Sequence, residues 1–225
     1  MHERPAAERR ERLVELYRRL RDCRDCPLSE SRTNVVFGAG NADADLMFVG
    51  EAPGRHEDEQ GLPFVGRAGH LLDELLGEVG LARSDVMVVN VLKCRPPGNR
   101  DPLPEEIDSC KPYLFEQIRL VEPRVVCTLG NFATKLLTRS SRGITSVHGR
   151  PQAQELGGRW VRLLPLFHPA AALRTPATLA ALRADFATLP GLLEQPPPLP
   201  PGAPPSLAEP RLPEPVAAPQ LGLFA

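Results

Sequence analysis

The sequence predicts a three-layer α/β/α sandwich around a central, mostly parallel four-stranded sheet. Four short apolar runs are candidate strands, and most are β-branched and apolar at both odd and even positions, as in strands covered on two faces. Stretches with helical periodicity separate these runs, an alternation that is typical of a parallel sheet flanked by helices. The predicted strands are Leu46–Val49, Val86–Val91, Val125–Leu129 and Val161–Phe167.

Helices are predicted before, between and after these strands. In the first, Leu13, Leu16 and Leu20 recur three and four residues apart, so we expect a helix over Glu8–Arg21 that ends near Cys23. The last has a proline just inside its start, which suits the first helical turn. The later predicted helices are Ala68–Val79, Pro104–Val121, Phe132–Leu137 and Pro176–Leu189.

Composition narrows the class of protein. A chain of 225 residues with 42% hydrophobic content is long enough for a packed core. Its net charge of -1 gives no overall attraction to nucleic acid, so a nucleic-acid partner must be held by a local basic patch. The N-terminal segment is heavily charged and no run reaches membrane-spanning length. We therefore expect a cytoplasmic monomer without an export signal or membrane contact.

Five cysteines are Cys23, Cys26, Cys94, Cys110 and Cys127. An odd number without an export signal argues against disulfides. The first four could hold zinc or an iron–sulfur cluster, and one C-x-x-C pair joined to two isolated cysteines favours the cluster over a zinc ribbon. A redox dithiol is a weaker alternative, because the pair follows a basic helix instead of opening one. The fifth lies within a predicted strand and is expected to be a buried core thiol.

Three loops that follow predicted strands carry candidate binding groups. The Gly- and Pro-rich segment Gly50–Gly66 can bring backbone close to a ligand. Asn90 offers a donor and an acceptor side by side, which match the edge of uracil or thymine. His168 could stabilise negative charge on a leaving group. Because parallel strands end at one rim, these groups should meet, although a rigid solvated loop and a structural histidine are the alternatives.

These residues resemble the family-four uracil-DNA glycosylases, the iron–sulfur branch of those enzymes. The resemblance rests on "GEAPGRHEDEQGLPFVGRAG", "NVLKCRPPGNR" and "HPAAALR" with the four cysteines, and it covers about residues 10–190. It implies a uracil-DNA glycosylase-like fold and a [4Fe–4S] cluster on Cys23, Cys26, Cys94 and Cys110. The implied activity is base excision repair, in which uracil is flipped out of DNA and its N-glycosidic bond is hydrolysed to leave an abasic site.

The same resemblance assigns roles to the uracil-binding residues. The pocket wall would comprise Gly50, Glu51 and Ala52. Phe64 would stack on the flipped base, and Asn90 would read its Watson–Crick edge. His168 would contact O2, and Glu57 would lie against C5 and exclude the thymine methyl group.

Catalysis is expected to depend mainly on stabilising the leaving group. Ala52 stands where the classical uracil glycosylases carry an aspartate that orients water. His168 is therefore the main catalytic candidate, and Glu51 is the candidate helper that positions water.

DNA contacts are expected from local basic residues and one apolar wedge. Leu173 could fill the gap left by the flipped base, although a core leucine at a helix start is the alternative. The basic candidates are Lys93, Arg95, Arg100, Arg139, Arg142, Arg150 and Arg174.

Two other functions are alternatives to uracil excision. A related branch cross-links to the abasic sugar through a histidine in a basic insertion, but the loop "RPPGNRDPLP" after Cys94 has neither. A non-catalytic uracil-DNA or clamp-binding scaffold is the alternative from another class, and the motif residues argue against it.

Composition changes from Pro190 onward, where prolines become frequent and apolar residues rare. Residues 1–189 are therefore predicted to form the glycosylase domain and residues 190–219 a disordered linker. Residues 220–225, "QLGLFA", are similar to the short peptides by which bacterial repair and replication proteins bind the DNA sliding clamp. A chance pattern is the alternative. The candidate anchors are Gln220, Leu221, Leu223 and Phe224.

Overall fold

A computed structural model of the protein describes residues 5–200. Within that range the strands are β1 (Ala39–Gly40), β2 (Leu46–Gly50), β3 (Val86–Asn90), β4 (Val125–Leu129), β5 (Gln152–Leu156) and β6 (Arg159–Leu166). They form one sheet in the order β1-β3-β2-β4-β6-β5. The four central strands are parallel to one another, and the two edge strands pair antiparallel to their neighbours.

Helices cover both faces of this sheet. Within residues 5–200 they are α1 (Ala6–Arg21), α2 (Leu28–Ser31), α3 (Arg55–Gln60), α4 (Arg67–Glu78), α5 (Pro104–Val121), α6 (Asn131–Thr138), α7 (Ile144–Val147), α8 (Pro169–Ala172), α9 (Pro176–Phe186) and α10 (Leu189–Glu194). Two short 3-10 turns span Arg83–Asp85 and Pro97–Asn99. Within residues 5–200 no helix is long and apolar enough to cross a bilayer.

The central strands send alternate side chains into two hydrophobic cores. In β2, Met47 and Val49 pack in the core that includes α1, α5 and α6, whereas Leu46 and Phe48 pack in the core that includes α4, α9 and α10. Successive side chains of a strand point to opposite faces, so burial on both faces requires an unbroken apolar run. Cys127 lies in the second core and is fully buried, as expected for a core thiol.

The parallel four-stranded centre and its flanking helices are confirmed, but the sheet has two edge strands that the sequence did not predict. β1 contains two residues, and β5 is mostly exposed, so neither carries the apolar run of a central strand. Gly40 in β1 has a φ of 121°, and a Cβ there would collide with the carbonyl of Val86. The pairing of β1 with β3 therefore depends on glycine at this position.

The C-terminal part of the described chain also differs from the expectation. The predicted helix Pro176–Leu189 ends earlier than expected, because α9 stops at Phe186. A separate helix, α10, begins at Leu189 and has Pro190 in its first turn, where proline is tolerated. Leu192 is buried, and its carbonyl accepts a hydrogen bond from Arg162. The predicted linker therefore begins with residues that pack on the domain, while the candidate clamp peptide, residues 220–225, lies outside the described residues.

Candidate active site

A cavity of about 510 Å³ lies at the rim where the parallel strands end. Gly50 and Asn90, the last residues of β2 and β3, are paired in register, and His168 follows β6 at the same rim. The cavity is lined by most of the predicted uracil-binding residues, namely Glu51, Ala52, Glu57, Phe64, Asn90 and His168. Gly50 is not in this lining but lies directly against Phe64 and Asn90.

Phe64 is held in an unusual backbone conformation. Its φ is 55°, which is uncommon for an aromatic residue. A Cβ at Gly69 would collide with the Phe64 carbonyl, and a Cβ at Gly50 would lie 2.8 Å from the ring. The Glu57 carboxylate accepts hydrogen bonds from the backbone N–H groups of Val65 and Gly66, which follow Phe64, at 3.1 and 3.0 Å. Strain that is fixed from several sides in this way is typical of a functional position.

Asn90 carries a buried acceptor that lacks a partner. The residue is 2% exposed, and within residues 5–200 nothing donates a hydrogen bond to its Oδ1. Leaving such a group unsatisfied costs about 1–3 kcal/mol, so native proteins rarely keep one without a ligand or a water. The backbone carbonyl of Asn90, by contrast, accepts a hydrogen bond from the Lys93 ammonium at 2.7 Å. The backbone is anchored, and the side-chain oxygen can accept a hydrogen bond from a ligand in the cavity.

His168 is a neutral imidazole whose tautomer follows from its hydrogen bond. Burial lowers the pKa of His168 to about 4, although Glu57 acts in the opposite direction. Its Nδ1 accepts a hydrogen bond from the N–H of Ala170 at 3.1 Å, which assigns the proton to Nε2. The ring centroid lies 5.7 Å from that of Phe64, with 27° between the ring planes. At neutral pH the ring can therefore donate from Nε2 without being charged.

Two further acidic side chains, Glu51 and Asp101, line the cavity. Burial raises the pKa of Glu51, and Asp101, which lines the same cavity, raises it further. Ala52 brings no polar group to the cavity. Glu51 is therefore the side chain of the loop after β2 that can hold a water, because the Glu57 carboxylate is engaged with the turn that carries Phe64.

Two of the predicted DNA-binding arginines, Arg100 and Arg174, line the cavity. Arg100 is held by the buried carboxylate of Glu106 through two hydrogen bonds of 2.9 and 2.5 Å. Arg95 is half-buried and donates to Asn99 at 2.6 Å. The cation of Arg100 is thus fixed at the cavity by an acidic partner.

The remaining candidates for DNA contact are spread more widely. Arg142 and Arg150 are exposed but do not line the cavity. Leu173 is 40% exposed and follows the cavity-lining residue Ala171. The prediction that Lys93 contacts DNA is wrong, because its side chain is 1% exposed and is directed into the fold.

A second, smaller cavity is lined by Cys23, Cys26, Cys94 and Cys110. The first two lie between α1 and α2, the third follows β3, and the fourth lies in α5. All four are free thiols. Arg32 donates to the sulfur of Cys94 at 3.3 Å and to the carbonyl of Cys23 at 2.8 Å.

The chemistry of these thiols fits a sulfur-ligated cluster. Burial raises the pKa of Cys26 and Cys94, and it raises that of Cys110 to about 11. Such thiols become thiolates at neutral pH only beside a strong positive group, as a metal provides. Within the described residues no three His, Cys, Asp or Glu side chains form a site for a single metal ion. Four sulfur donors around one cavity match the ligand set of an iron–sulfur cluster.

Lys93 connects the two cavities, a role that the sequence did not reveal. Its Nζ donates to the carbonyl of Asn90 at 2.7 Å and to Oε1 of Gln117 at 2.5 Å, while its backbone N–H donates to the sulfur of Cys110 at 3.3 Å. Burial lowers the pKa of Lys93 to about 8, and the cysteine sulfurs act against this. A lysine just after a strand is usually a surface cation, and the available signal of its burial was the apolar pair Val91 and Leu92 directly before it.

The chain is similar in sequence to known uracil-DNA glycosylases. The family model described as "Uracil DNA glycosylase superfamily" matches residues 37–189. A type-4 uracil-DNA glycosylase of Archaeoglobus fulgidus is 44% identical over 180 residues, which cover 78% of this chain and 90% of the relative. A type-4 enzyme of Thermotoga maritima is 48% identical over 167 residues, covering 73% and 85%. A type-5 uracil-DNA glycosylase of Pyrobaculum aerophilum is 30% identical over 145 residues, covering 58% and 63%.

Proposed function

The chain belongs to the uracil-DNA glycosylase superfamily and, within it, to the type-4 DNA-repair enzymes, and we propose that the cavity at the strand rim binds uracil extruded from DNA. The observation that carries this proposal is the buried, unpartnered Oδ1 of Asn90 in a cavity shared with Phe64 and His168. Uracil presents a ring N–H beside a carbonyl, which is the complement of a carboxamide. The base would supply the donor that Asn90 lacks.

Phe64 would provide the stacking surface for the base. A flipped base loses its neighbours in the duplex, and stacking on an aromatic ring recovers part of that energy. The turn clamped by Glu57 and the close approach of Gly50 hold the ring before substrate arrives. We also propose that Glu57 limits the space beside C5, because its carboxylate is fixed at the cavity wall and a thymine methyl group would have to displace it.

His168 would stabilise the leaving group. As the glycosidic bond lengthens, the sugar gains positive charge and the uracil becomes an anion with charge on O2. A neutral Nε2–H directed at O2 stabilises that anion without needing a second proton, and one such donor contributes about 3 kcal/mol in comparable sites. The hydrogen bond from Ala170 to Nδ1 keeps the proton on Nε2 throughout.

Glu51 would position the water that attacks the sugar. Ala52 brings no carboxylate to the cavity, and Glu57 is engaged with backbone, so Glu51 is the acceptor left in this loop. Its raised pKa still leaves a group that can accept a proton from water as the bond forms. Leaving-group stabilisation is therefore the larger contribution and water positioning the smaller one.

The four cysteines would hold a [4Fe–4S] cluster. The cluster would serve a structural role, since its thiolates join the segment between α1 and α2 to the loop after β3 and to α5. This chain supplies the four sulfurs, and Arg32 supplies a positive charge beside Cys94. A zinc ion is the alternative, and anaerobically purified protein with broad absorption near 400 nm would favour the cluster.

DNA would lie over the cavity with its phosphates on nearby arginines. Arg100 and Arg174 line the cavity and would hold the flipped nucleotide, and Arg95, Arg142 and Arg150 would contact flanking phosphates. Leu173 would fill the gap in the base stack. Extrusion of the base costs a few kcal/mol and is easiest at mismatches such as U·G.

We also propose a cytoplasmic monomer whose C-terminal residues bind the sliding clamp. The support is the sequence, in which an amide and three apolar residues follow a proline-rich segment. Deletion of residues 220–225 should abolish clamp binding in a pull-down with purified clamp and leave uracil excision unchanged. Clamp binding by the shortened protein would reject this part of the proposal.

The activity is tested with oligonucleotides that differ in one base. Incubation with a U·G duplex should release free uracil and leave an alkali-labile abasic site, and the matching T·G duplex should release no base. Asn90→Ala should lower uracil release at least tenfold, because the base loses its specific hydrogen bonds. Tight binding of the U·G duplex without release of uracil would instead support the non-catalytic scaffold.

A further inference from the structure

The uracil cavity and the cysteine site share one short segment of backbone, residues 90–94. Asn90 begins this segment and lines the uracil cavity, and Cys94 ends it and lines the cysteine cavity. Lys93, between them, bonds to both sides: its ammonium holds the carbonyl of Asn90, and its backbone N–H is directed at the sulfur of Cys110. A change at either end of the segment therefore acts on Lys93.

The charge of Lys93 requires an explanation. Its side chain is fully buried, and its two oxygen partners, the Asn90 carbonyl and the Gln117 amide, are neutral. A buried ammonium is strongly disfavoured unless an opposite charge lies nearby. Lys93 lines the cysteine cavity together with Cys94 and Cys110, and its backbone N–H donates to the sulfur of Cys110 at 3.3 Å. These cysteines are two of the four proposed cluster ligands, which are anionic when they bind metal.

Gln117 fixes Lys93 from a third direction. Its side chain is fully buried in α5, where Oε1 accepts from Lys93 and Nε2 donates to the carbonyl of Phe37 at 2.8 Å. The ammonium therefore ties the end of β3 to α5, the helix that also carries Cys110. The end of β3 is the position from which the Asn90 side chain reaches the cavity.

We propose that Lys93 is a positioning residue that couples the cysteine site to the uracil cavity. The thiolates of the occupied cysteine site retain the ammonium in the fold, and the ammonium fixes the strand end that presents Asn90 to the base. The inference rests on the proposed function, because it requires uracil in one cavity and a cluster on the four cysteines. It gives the cluster an indirect part in base recognition, through a side chain that touches neither the base nor the metal.

The first measurement is binding at the uracil end. Two duplexes are compared, one with 2′-fluoro-2′-deoxyuridine, whose glycosidic bond resists hydrolysis, and one with a tetrahydrofuran abasic analogue at the same position. The ratio of their dissociation constants isolates base recognition from backbone contact. Lys93→Met keeps the apolar stem without the charge and should shift this ratio about tenfold against uracil, as expected for one well-placed hydrogen bond. The exposed Lys135→Met is the matched control and should leave the ratio unchanged.

The second measurement is made at the cysteine end. The visible absorption of the cluster is followed during oxidation by ferricyanide. Removing a nearby cation makes an electron easier to withdraw, so Lys93→Met should bleach several-fold faster than the unaltered protein or Lys135→Met. Gln117→Leu leaves the charge but removes one of its anchors, so it should shift the duplex ratio by about threefold in the same direction.

Coupling requires both effects. A folded Lys93→Met protein that retains the full preference for the uracil duplex, or whose cluster bleaches at the unaltered rate, overturns the inference. If Lys93→Met is recovered only as aggregate, Gln117→Leu decides: an unchanged duplex ratio or an unchanged bleaching rate rejects the coupling, and a change in both supports it. Failure of the proposed function is distinguishable, because the unaltered protein would then release no uracil from the U·G duplex.

Discussion

The uracil cavity is lined by acidic, amide, aromatic and imidazole side chains, whereas the cysteine cavity is lined by four thiols with Arg32 and Lys93 beside them. In the first, protein contacts alone fix the main groups: Glu57 clamps the Phe64 turn, and Ala170 orients His168. In the second, burial raises the pKa of the Cys26, Cys94 and Cys110 thiols, so a metal that binds them would have to displace their protons. On the proposed function, the first site would be organised by the protein alone, and the second would depend on a cofactor.

This difference predicts that substitutions in the two cavities should affect different properties of the protein, excision in one case and stability in the other. Changes in the uracil cavity should lower excision with little effect on unfolding, because the supporting contacts lie in the backbone and the surrounding turns. Changes at the cysteine site should lower stability as well, because metal–thiolate bonds contribute to folding.

Cys110→Ser should cause the largest loss of stability. Serine keeps the size of the side chain but is a poor cluster ligand, so we expect loss of visible absorption and a decrease of about 5 kcal/mol in the free energy of unfolding. Denaturant unfolding with parallel iron analysis measures both. The control is Cys127→Ala, which alters a buried thiol in the other core and should keep the absorption. Full iron content in Cys110→Ser would remove this cysteine from the proposed ligands.

His168→Ala should cause the largest loss of activity with folding preserved. Removing the Nε2–H donor should slow single-turnover uracil excision by about 10²–10³-fold, that is by about 3–4 kcal/mol. Iron content and the unfolding temperature should stay close to those of the unaltered protein. The exposed His70→Ala is the matched control. Excision at the full rate by His168→Ala would exclude leaving-group stabilisation by this residue.

The pH dependence of stability should carry the signature of His168. Its pKa in the folded protein is about 4, below the ordinary value of 6.5, so between these values the unfolded chain binds a proton that the folded protein does not. Titration of His168 therefore costs no stability above about pH 6.5 and lowers the free energy of unfolding as the pH falls toward 4. The full loss is about 3 kcal/mol. Unfolding measured from pH 7 to 4 should show a shallower decline for His168→Asn, and identical slopes would contradict a buried neutral imidazole.

Gly50→Ala should disturb the uracil cavity from behind. The added methyl group would meet Oδ1 of Asn90 and the ring of Phe64, so both must shift, at a cost of about 1–3 kcal/mol in excision. The control is Gly77→Ala, where a Cβ on α4 has nothing within 4 Å and should raise helix stability slightly. Steady-state kinetics with the U·G duplex compares the two. Equal activity of both variants would mean that Phe64 and Asn90 need not be held so closely.

Leu173→Ala should have the smallest effect of this series. If the side chain fills the gap left by the flipped base, its removal should slow excision from duplex DNA by about 1 kcal/mol and leave single-stranded DNA unaffected. Val14→Ala, an exposed apolar residue on α1, is the control. An equal loss on both substrates would assign Leu173 to packing instead.

Much of the fold follows from the sequence because the central strands are buried on both faces. The bounds of β4 and α5 agree with the predicted ones, since Val125–Leu129 is an unbroken apolar run and Pro104 fixes a helix start. The edge strands β1 and β5 were missed because exposure on an edge removes the apolar signal. The sequence does not predict α10, because Pro190 both begins the proline-rich segment and suits the first turn of a helix.

The side chains of the candidate site could be nominated from the sequence, but their supports could not. Asn90 ends one strand and His168 follows another, and both strands end at the same rim of the parallel sheet. The grip of Glu57 on the Phe64 turn and the burial of Lys93 depend on contacts between distant loops. Residue type misled in the second case, because lysine is rarely buried unless it is paired.

The central claim is that the unpartnered Oδ1 of Asn90 accepts a hydrogen bond from the ring N3–H of uracil. Inhibition of U·G excision by free uracil, compared with inhibition by N3-methyluracil, tests it most directly. We expect the inhibition constant of uracil to be at least tenfold lower, because a site built for a hydrogen bond rejects an analogue that lacks the donor. Equal inhibition by the two bases, or none by uracil at its solubility limit, would contradict the claim.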